Sequence, residues 1–249
     1  MQEFASRPPN APAGVSLPDI DLHIVVSDEH RAALIAERPV LMRGLGGVLC
    51  EWSTRGDHQL LCLYDTGVTL EVDLHSPDYL ERPRHAFKLL ILHDPNGRLA
   101  AFAADCERTP LTPEVDADRL LQLWQMVWSW LFLVTGQTLR GEVWEGRDYL
   151  EVLRVNAVLP VYRTLHQQPA IGYRRIEGWA DAEFLRRLEG TVAPLERSAV
   201  LQGLLTMVDL FLDLATELAH RYGTALPQQP TEVRHLVEAL AGPAHPPAP

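Results

Sequence analysis

Lysine is almost absent from this chain, and acidic residues outnumber basic ones. The 249 residues include 22 Lys and Arg against 33 Asp and Glu, which gives a formal net charge of -11, and Lys88 is the only lysine. A general nucleic-acid-binding protein needs a basic surface to neutralise phosphates. The composition therefore argues against nucleic acid as a partner. We interpret the preference for arginine as a compositional bias, not as chemistry.

Cysteine is scarce, and no long apolar run is uninterrupted. Cys50, Cys62 and Cys106 are odd in number and far apart, which fits neither a metal spacing nor a disulfide framework and predicts a reducing, cytoplasmic location. The strongest apolar run, 120–134, contains polar residues and is shorter than the roughly 20 residues of a membrane span. The N-terminus lacks the apolar segment of a signal peptide. We therefore expect no membrane partner, and 47% hydrophobic residues suffice for a packed core.

A predicted strand with two carboxylates at its start is the most informative stretch. Residues 19–26 read Asp-Ile-Asp-Leu-His-Ile-Val-Val. Side chains alternate faces along a strand, so Asp19, Asp21 and His23 point the same way. Two close carboxylates repel unless a cation lies between them, and oxygen ligands of this kind suit Mg²⁺. A single Asp-x-Asp is a weak signal, because solvated carboxylates often show it, and we expect His23 to be a hydrogen-bonded histidine and not a ligand.

A second predicted strand carries further polar side chains on one face. Residues 68–75 read Val-Thr-Leu-Glu-Val-Asp-Leu-His and alternate apolar and polar positions, as a half-buried strand does. Glu71, Asp73 and His75 share a face. If this strand lies beside the first, Asp73 completes a three-carboxylate site for two metal ions. Glu71 and His75 are then candidates only for lining that site.

These two segments, Pro18-Asp19-Ile20-Asp21-Leu22 and Leu70-Glu71-Val72-Asp73-Leu74, resemble the nucleotidyltransferases of the polymerase-beta type. The resemblance is strongest to the aminoglycoside and lincosamide branch, which confers antibiotic resistance. It implies two Mg²⁺ ions bound by Asp19, Asp21 and Asp73. It also implies transfer of a nucleoside monophosphate from a nucleoside triphosphate, such as ATP, to a hydroxyl of a small aminoglycoside-like acceptor. The motif covers the first part of the chain, and the rest is similar only in layout.

The family's phosphate-gripping Gly-Ser pair is not found ahead of Asp19. The segment Phe4-Ala5-Ser6-Arg7 resembles the residues that follow that pair. We predict Ser6 and Arg7, together with Arg140, as nucleotide-binding residues, and expect the first domain to be truncated at its N-terminus. The alternative is a catalytically degenerate protein of the same fold that serves in binding or regulation.

The predicted elements change in character at the Pro-containing segment 109–113. The predicted fold class is α+β: a small mixed β-sheet nucleotidyltransferase domain at 1–110, followed by an all-α helical bundle domain at 111–249 with a disordered Pro/Ala tail. The first domain has one helix from Asp28 to about Glu37, ended by Arg38-Pro39. Further strands are predicted at 48–53, 59–64 and 87–93, with a hairpin partner for the last at 99–102.

The second domain is predicted to consist of helices only. They are expected at 116–134 with Gly136 as the end, 142–159 with Pro160 as the stop, 181–188, 195–222 and 231–240. Trp124, Trp128 and Trp130 are predicted as core and not as a substrate platform. The helix at 195–222 has apolar residues on more than one face, which makes a homodimer an expectation.

The stretch from Arg140 to Asp148 opens one of these helices. Glu142 and Glu145 are three residues apart and lie on one helix face, and acidic residues in a first turn favour the helix dipole. The resemblance adds a functional reading, in which a carboxylate of the helical domain acts as general base on the acceptor hydroxyl. Glu142 and Glu145 are the candidates. We expect Arg140, Arg147 and Arg154 to pair with acidic residues in preference to triphosphate.

Overall fold

The structure, a computed structural model, describes residues 19–54, 58–85, 88–228 and 231–241. Its chain divides after Pro110 into two compact units. The first contains the β-sheet, and the described residues of the second form helices and the turns that join them.

Four strands form the sheet of the first unit. They are β1 (Asp19–Val25), β2 (Val48–Thr54), β3 (Gln59–Tyr64) and β4 (Thr69–His75). The strand order is β1-β4-β3-β2. The β1–β4 pair is parallel, whereas the β4–β3 and β3–β2 pairs are antiparallel. All four strands were predicted from the sequence, and the parallel pair brings together the two strands that carry the predicted carboxylates.

Helix α1 (Asp28–Arg43) covers the apolar face of this sheet, with Leu34, Ile35 and Met42 packed on the strand residues. The predicted end at Pro39 is wrong, because the helix continues one turn beyond that residue. The Arg38 side chain is buried, and its guanidinium donates hydrogen bonds to the carbonyl oxygens of His58 (2.8 Å) and Val72 (3.2 Å). These contacts fix the turn that contains the proline, against the cost of one missing helical hydrogen bond.

The predicted hairpin at 87–102 is also wrong. The described residues 88–93 form no strand, and residues 98–108 form helix α2 (Arg98–Arg108). The left-handed Gly97 precedes this helix, and the Asp94 carboxylate accepts the Ala100 amide at 2.9 Å. Phe102 and Cys106, four residues apart, are both buried. This is helical spacing, and the short window 99–102 was too brief to reveal it.

The second unit contains six α-helices among its described residues. They are α3 (Ala117–Leu139), α4 (Val143–Leu153), α5 (Leu159–Leu165), α6 (Ala182–Glu189), α7 (Arg197–Tyr222) and α8 (Thr231–Ala241). Two predicted ends are wrong. Helix α3 passes Gly136 and ends before Gly141, whose φ is +90°. Pro160 is the second residue of α5, which directly follows the π-helical segment Arg154–Val158, so the chain stays helical through the proline.

The core of the second unit lies between α3, α4, α5 and α7. Trp124 and Trp128 are buried in it and Trp130 packs against it, which confirms that this cluster is core. Helix α7 is long and apolar enough to cross a membrane by length and composition alone. However, 56% of its most apolar window is buried inside the structure, as in the core helix of a soluble protein.

Candidate functional site

The side chains of β1 and β4 that point away from α1 form one polar face of the sheet. The parallel pairing sets Asp21 opposite Glu71 and His23 opposite Asp73. Paired residues on neighbouring strands point to the same side, and the intervening Leu22 and Ile24 pack on the α1 side. The two polar segments singled out in the sequence therefore share one surface, which we call the polar face.

The closest contacts on the polar face join His23, Asp73 and His75. The His23 Nδ1 atom lies 2.9 Å from His75 Nε2 and 3.7 Å from Asp73 Oδ2. One potential ligand atom from each of the three residues lies within 4.8 Å of the others. Asp73 is buried, with 6% of its surface exposed. Three groups that bind protons or metal ions thus converge at the C-terminal half of β1.

Neighbouring side chains hold this group in place. Gln59 donates a hydrogen bond from Nε2 to Asp73 Oδ2 at 3.3 Å and another to Glu71. The Tyr79 ring stacks on His75 with 3.7 Å between ring centroids. Burial, together with a smaller contribution from the nearby His23, lowers the pKa of His75 to about 4. His75 is therefore a neutral imidazole at pH 7, with a nitrogen lone pair available to a proton or a metal ion.

A cavity of about 710 Å³ borders β1. Its wall is formed by residues 20–25, by Tyr79 and Leu80, by residues 88–96, and by Arg98, Leu99 and Phe102 of α2. This volume is in the usual range for small-molecule sites. Lys88 and Arg98 bring positive charge to a wall that also contains Asp21 and His23. A single ligand in the cavity could therefore contact both basic side chains and side chains that are able to bind a metal ion.

The predicted carboxylates occupy unequal positions on the polar face. Asp19 and Asp21 are exposed, whereas Asp73 is buried. The register pairs Asp19 with Thr69 and Asp21 with Glu71. Asp73 therefore lies two residues further along the strand direction than Asp21, which is roughly 7 Å at a rise of about 3.3 Å per residue. Joint metal binding by the three remains a prediction.

The remaining predicted residues lie outside the polar face. Ser6 and Arg7 are outside the described residues. Glu142 and Glu145, both exposed, lie at the start of α4 in the second unit. Arg140 donates two hydrogen bonds to Glu142, at 2.9 and 3.0 Å, and this pairing lowers the pKa of the Glu142 carboxyl. Arg140 is thus paired with an acid, the use that we expected in preference to triphosphate, and its role in nucleotide binding stays a prediction.

The other two arginines weighed in the sequence have structural partners as well. Arg147 donates to the Ala193 carbonyl at 3.1 Å. Arg154 is buried and contacts Glu151 and Thr191. Arg147 ties α4 to the segment that follows α6, and the buried Arg154, in the π-turn after α4, contacts a residue of α4 and a residue of that same segment.

Three residues of the site were undervalued from the sequence. Lys88 was treated as a compositional remnant, but it lines the cavity. His23 and His75 were given minor roles, but they adjoin Asp73. A signal was present, because both strands contain the tripeptide Asp-Leu-His, at 21–23 and 73–75. Repetition of a tripeptide with two potential metal ligands on two strands of one predicted sheet is a reason to test their pairing.

The fold is similar to that of a solved structure. The crystal structure of an aminoglycoside 6-adenyltransferase from Bacillus subtilis matches with a TM-score of 0.50 over 90% of this chain and 88% of that chain, at 13% sequence identity. No protein-family model and no curated protein matches the sequence. At this identity the likeness shows the fold alone. It confirms the predicted α+β class, a small mixed sheet with a nucleotidyltransferase-like fold followed by a helical part.

Proposed function

We propose that this protein is a metal-dependent nucleotidyltransferase. It would move a nucleoside monophosphate from a nucleoside triphosphate to a hydroxyl of a small acceptor. One observation carries the proposal: acidic side chains of β1 and β4 share a polar face beside a cavity large enough for a nucleotide. The likeness of the fold to an adenyltransferase supports the same reaction class.

The donors at the start of β1 fit the Mg²⁺ ions that the resemblance implies. Asp19 and Asp21 are exposed carboxylates on one face, and oxygen donors are what Mg²⁺ prefers. They would hold Mg²⁺ together with Asp73. When bound, Mg²⁺ supplies charge neutralisation at the phosphates and activation of the attacking oxygen.

The chain itself would position the nucleotide. Lys88 and Arg98 in the cavity wall would bind phosphate oxygens through charge-assisted hydrogen bonds. Apolar wall residues such as Leu89 and Leu99 would exclude water from the reacting phosphate. The acceptor oxygen then bonds to the α-phosphorus, the bond to the leaving oxygen breaks, and pyrophosphate departs.

The acceptor proton requires a base, and Glu142 and Glu145 are the candidates. Glu142 is paired with Arg140, and its lowered pKa weakens it as a base. Glu145 is therefore the better candidate. The net charge of -11 favours a cationic acceptor, and an aminoglycoside is such a molecule. ATP is the donor that the neighbour's name suggests.

A degenerate protein that binds nucleotide without turnover is the second candidate. The lack of a Gly-Ser pair ahead of Asp19 favours it, because that pair grips the phosphates in the family that the motif resembles. In this case the polar face would bind a nucleotide as a signal or as a structural ligand.

The experiment compares thermal unfolding and pyrophosphate release in the wild type, Asp21→Asn and the control Asp28→Asn. Asp28 is an exposed residue in the first turn of α1. Mg²⁺ with triphosphate at 100 times Kd should add about 2.7 kcal/mol of stability. Asp21→Asn should lose most of that gain and the pyrophosphate release, and Asp28→Asn should keep both.

Identical responses of the wild type and Asp21→Asn would contradict the proposed site. Stabilisation without pyrophosphate release across cationic and neutral acceptors would favour the binding protein instead.

A further inference from the structure

Two strands bring a second set of ligands together, and this set shares Asp73 with the predicted carboxylates. The register pairs His23 with Asp73, and His75 follows two residues later on the same face of β4. The pairing joins segments that lie about fifty residues apart in the chain, as the 52-residue separation of His23 and His75 shows. The convergence is thus a product of the sheet and not of local sequence.

The spacing of these side chains suits a metal ion. Zn²⁺ binds His nitrogen and carboxylate oxygen at about 2.0–2.2 Å, which sets tetrahedral ligand atoms roughly 3.4 Å apart. The His23 nitrogen is 2.9 Å from the His75 nitrogen and 3.7 Å from the Asp73 oxygen, and all three ligand atoms lie within 4.8 Å of one another. Small side-chain rotations would therefore seat one ion.

The donor set selects the class of metal. Mg²⁺ takes oxygen ligands and is poorly served by imidazole, whereas two imidazoles with one carboxylate suit Zn²⁺, Fe²⁺ and related first-row ions. We propose that His23, Asp73 and His75 bind one first-row transition-metal ion of the Zn²⁺ class. With three protein ligands the ion keeps an open coordination position, as catalytic zinc sites do.

The surroundings of the three ligands support this site. Gln59 orients the Asp73 carboxylate, and Tyr79 stacks on the His75 ring. Outer contacts of this kind fix ligand orientation in metal proteins. His23 also lines the cavity of about 710 Å³. An ion could therefore enter the site from the cavity, and a ligand bound in the cavity could contact the ion.

The alternative is a hydrogen bond between the two imidazoles with no ion. Both arrangements explain the 2.9 Å contact, and metal binding separates them. The proposal goes beyond nucleotidyl transfer and does not depend on it, because metal binding would persist if the protein transferred nothing. The test therefore measures the metal and not the reaction.

The test titrates Co²⁺, then Zn²⁺ as competitor, into metal-free full-length protein without a histidine tag. The wild type should bind one equivalent of Co²⁺ with intense visible absorption from low-coordinate Co²⁺, which Zn²⁺ abolishes. His23→Gln and His75→Gln should each weaken binding by at least about tenfold. The control His30→Gln changes an exposed histidine at the start of α1 and should bind as the wild type does.

Asp21→Asn separates this proposal from the transferase proposal. It should keep the Co²⁺ site while losing the response to Mg²⁺ and triphosphate. Substoichiometric Co²⁺ binding by the wild type, or equal affinity in His75→Gln and His30→Gln, would overturn the proposal. If the histidine variants prove unfolded by circular dichroism, the wild-type stoichiometry and spectrum decide the matter, and Asp73→Asn provides the second ligand variant.

Discussion

Lys88 is the single lysine of the chain, and it lines the cavity beside β1. A lysine ammonium is a compact charge that binds phosphate oxygens. If the cavity holds a triphosphate, Lys88→Met should raise KM for the nucleotide about tenfold, since a hydrogen bond to a charged group is worth roughly 1.5–3 kcal/mol. Initial-rate kinetics measure this. Lys88→Arg keeps the charge and serves as the control, and an unchanged KM in Lys88→Met would exclude a phosphate contact.

Tyr162 gives a pH prediction at the same scale. Burial, together with the hydrogen bond to the Asp181 carboxylate at 2.7 Å, raises the pKa of Tyr162 to about 12. A group whose folded pKa is raised stabilises the fold below its unfolded pKa, here near 10, and loses that contribution as pH rises through the folded value. Unfolding free energy should therefore fall between pH 10 and 12.

The variant Tyr162→Phe should lose less stability than the wild type over that pH range. Urea denaturation at several pH values gives the comparison. The Tyr162 ring stacks on Phe184, and phenylalanine preserves that stacking. Parallel pH curves for the two proteins would show that the hydroxyl does not titrate as stated.

At the scale of elements, α4 packs closely on α3 and α7 through Gly146. A Cβ atom there would lie 2.3 Å from Thr138 Oγ1 and 3.2 Å from Val200 Cγ1. Thr138 is fully buried and donates to the Val134 carbonyl at 2.7 Å, so it cannot move freely. Gly146→Ala should destabilise the protein by about 1–3 kcal/mol through overpacking.

The matched control is Gly136→Ala in α3. A Cβ atom at that position has Arg140 Nη1 as its nearest neighbour, at 3.5 Å, which is an ordinary contact. Alanine inside a helix is favoured over glycine by about 0.5–1 kcal/mol, so this variant should be more stable than the wild type. Urea midpoints measured by circular dichroism test both signs. A Gly146→Ala protein as stable as Gly136→Ala would show that the helices are packed loosely.

The sequence predicted best those helices and strands in which apolar residues recur at a regular spacing. The alternation at 68–75 predicted β4, and the long apolar period at 195–222 predicted α7. Apart from the predicted hairpin at 87–102, which includes part of helix α2, the errors are helix ends that were assigned to a single glycine or proline. Pro39 is inside a helix because the buried Arg38 anchors the turn, and the chain stays helical through Pro160 after the π-turn at Arg154–Val158. Tertiary contacts decide such positions, and the local sequence does not contain them.

The sequence predicted which residues of the candidate site share a strand face, but not which residues are paired between the two strands. Alternation placed Asp21 and His23 on one face of a strand, and Glu71 and Asp73 on one face of another. Which residue lies opposite which depends on the register between distant segments, and a shift of two residues would have preserved every face. The observed register sets Asp73 beside His23 and Glu71 beside Asp21. The residues whose potential ligand atoms lie closest to Asp73 in this set are thus the two histidines His23 and His75.

At the scale of the whole molecule, the two units have separate cores. The smaller buried cluster runs from Met42 to Leu74 in the first unit. Every buried residue of the larger cluster lies between Val115 and Val237. A core built from one continuous part of the chain is what an independently folding domain requires. We therefore propose 1–110 and 111–249 as the domains.

This proposal predicts that the segment Leu111–Pro249 folds on its own. Its helices bury their apolar faces against one another, and the Tyr222 hydroxyl donates to the Val115 carbonyl at 2.6 Å, which ties the end of α7 to the start of the segment. The isolated segment should show helical circular dichroism and a cooperative urea transition. A second segment that starts at Ala117 and lacks Val115 is the control, and it should be less stable. A gradual, non-cooperative loss of helix in Leu111–Pro249 would show that its core needs the first unit.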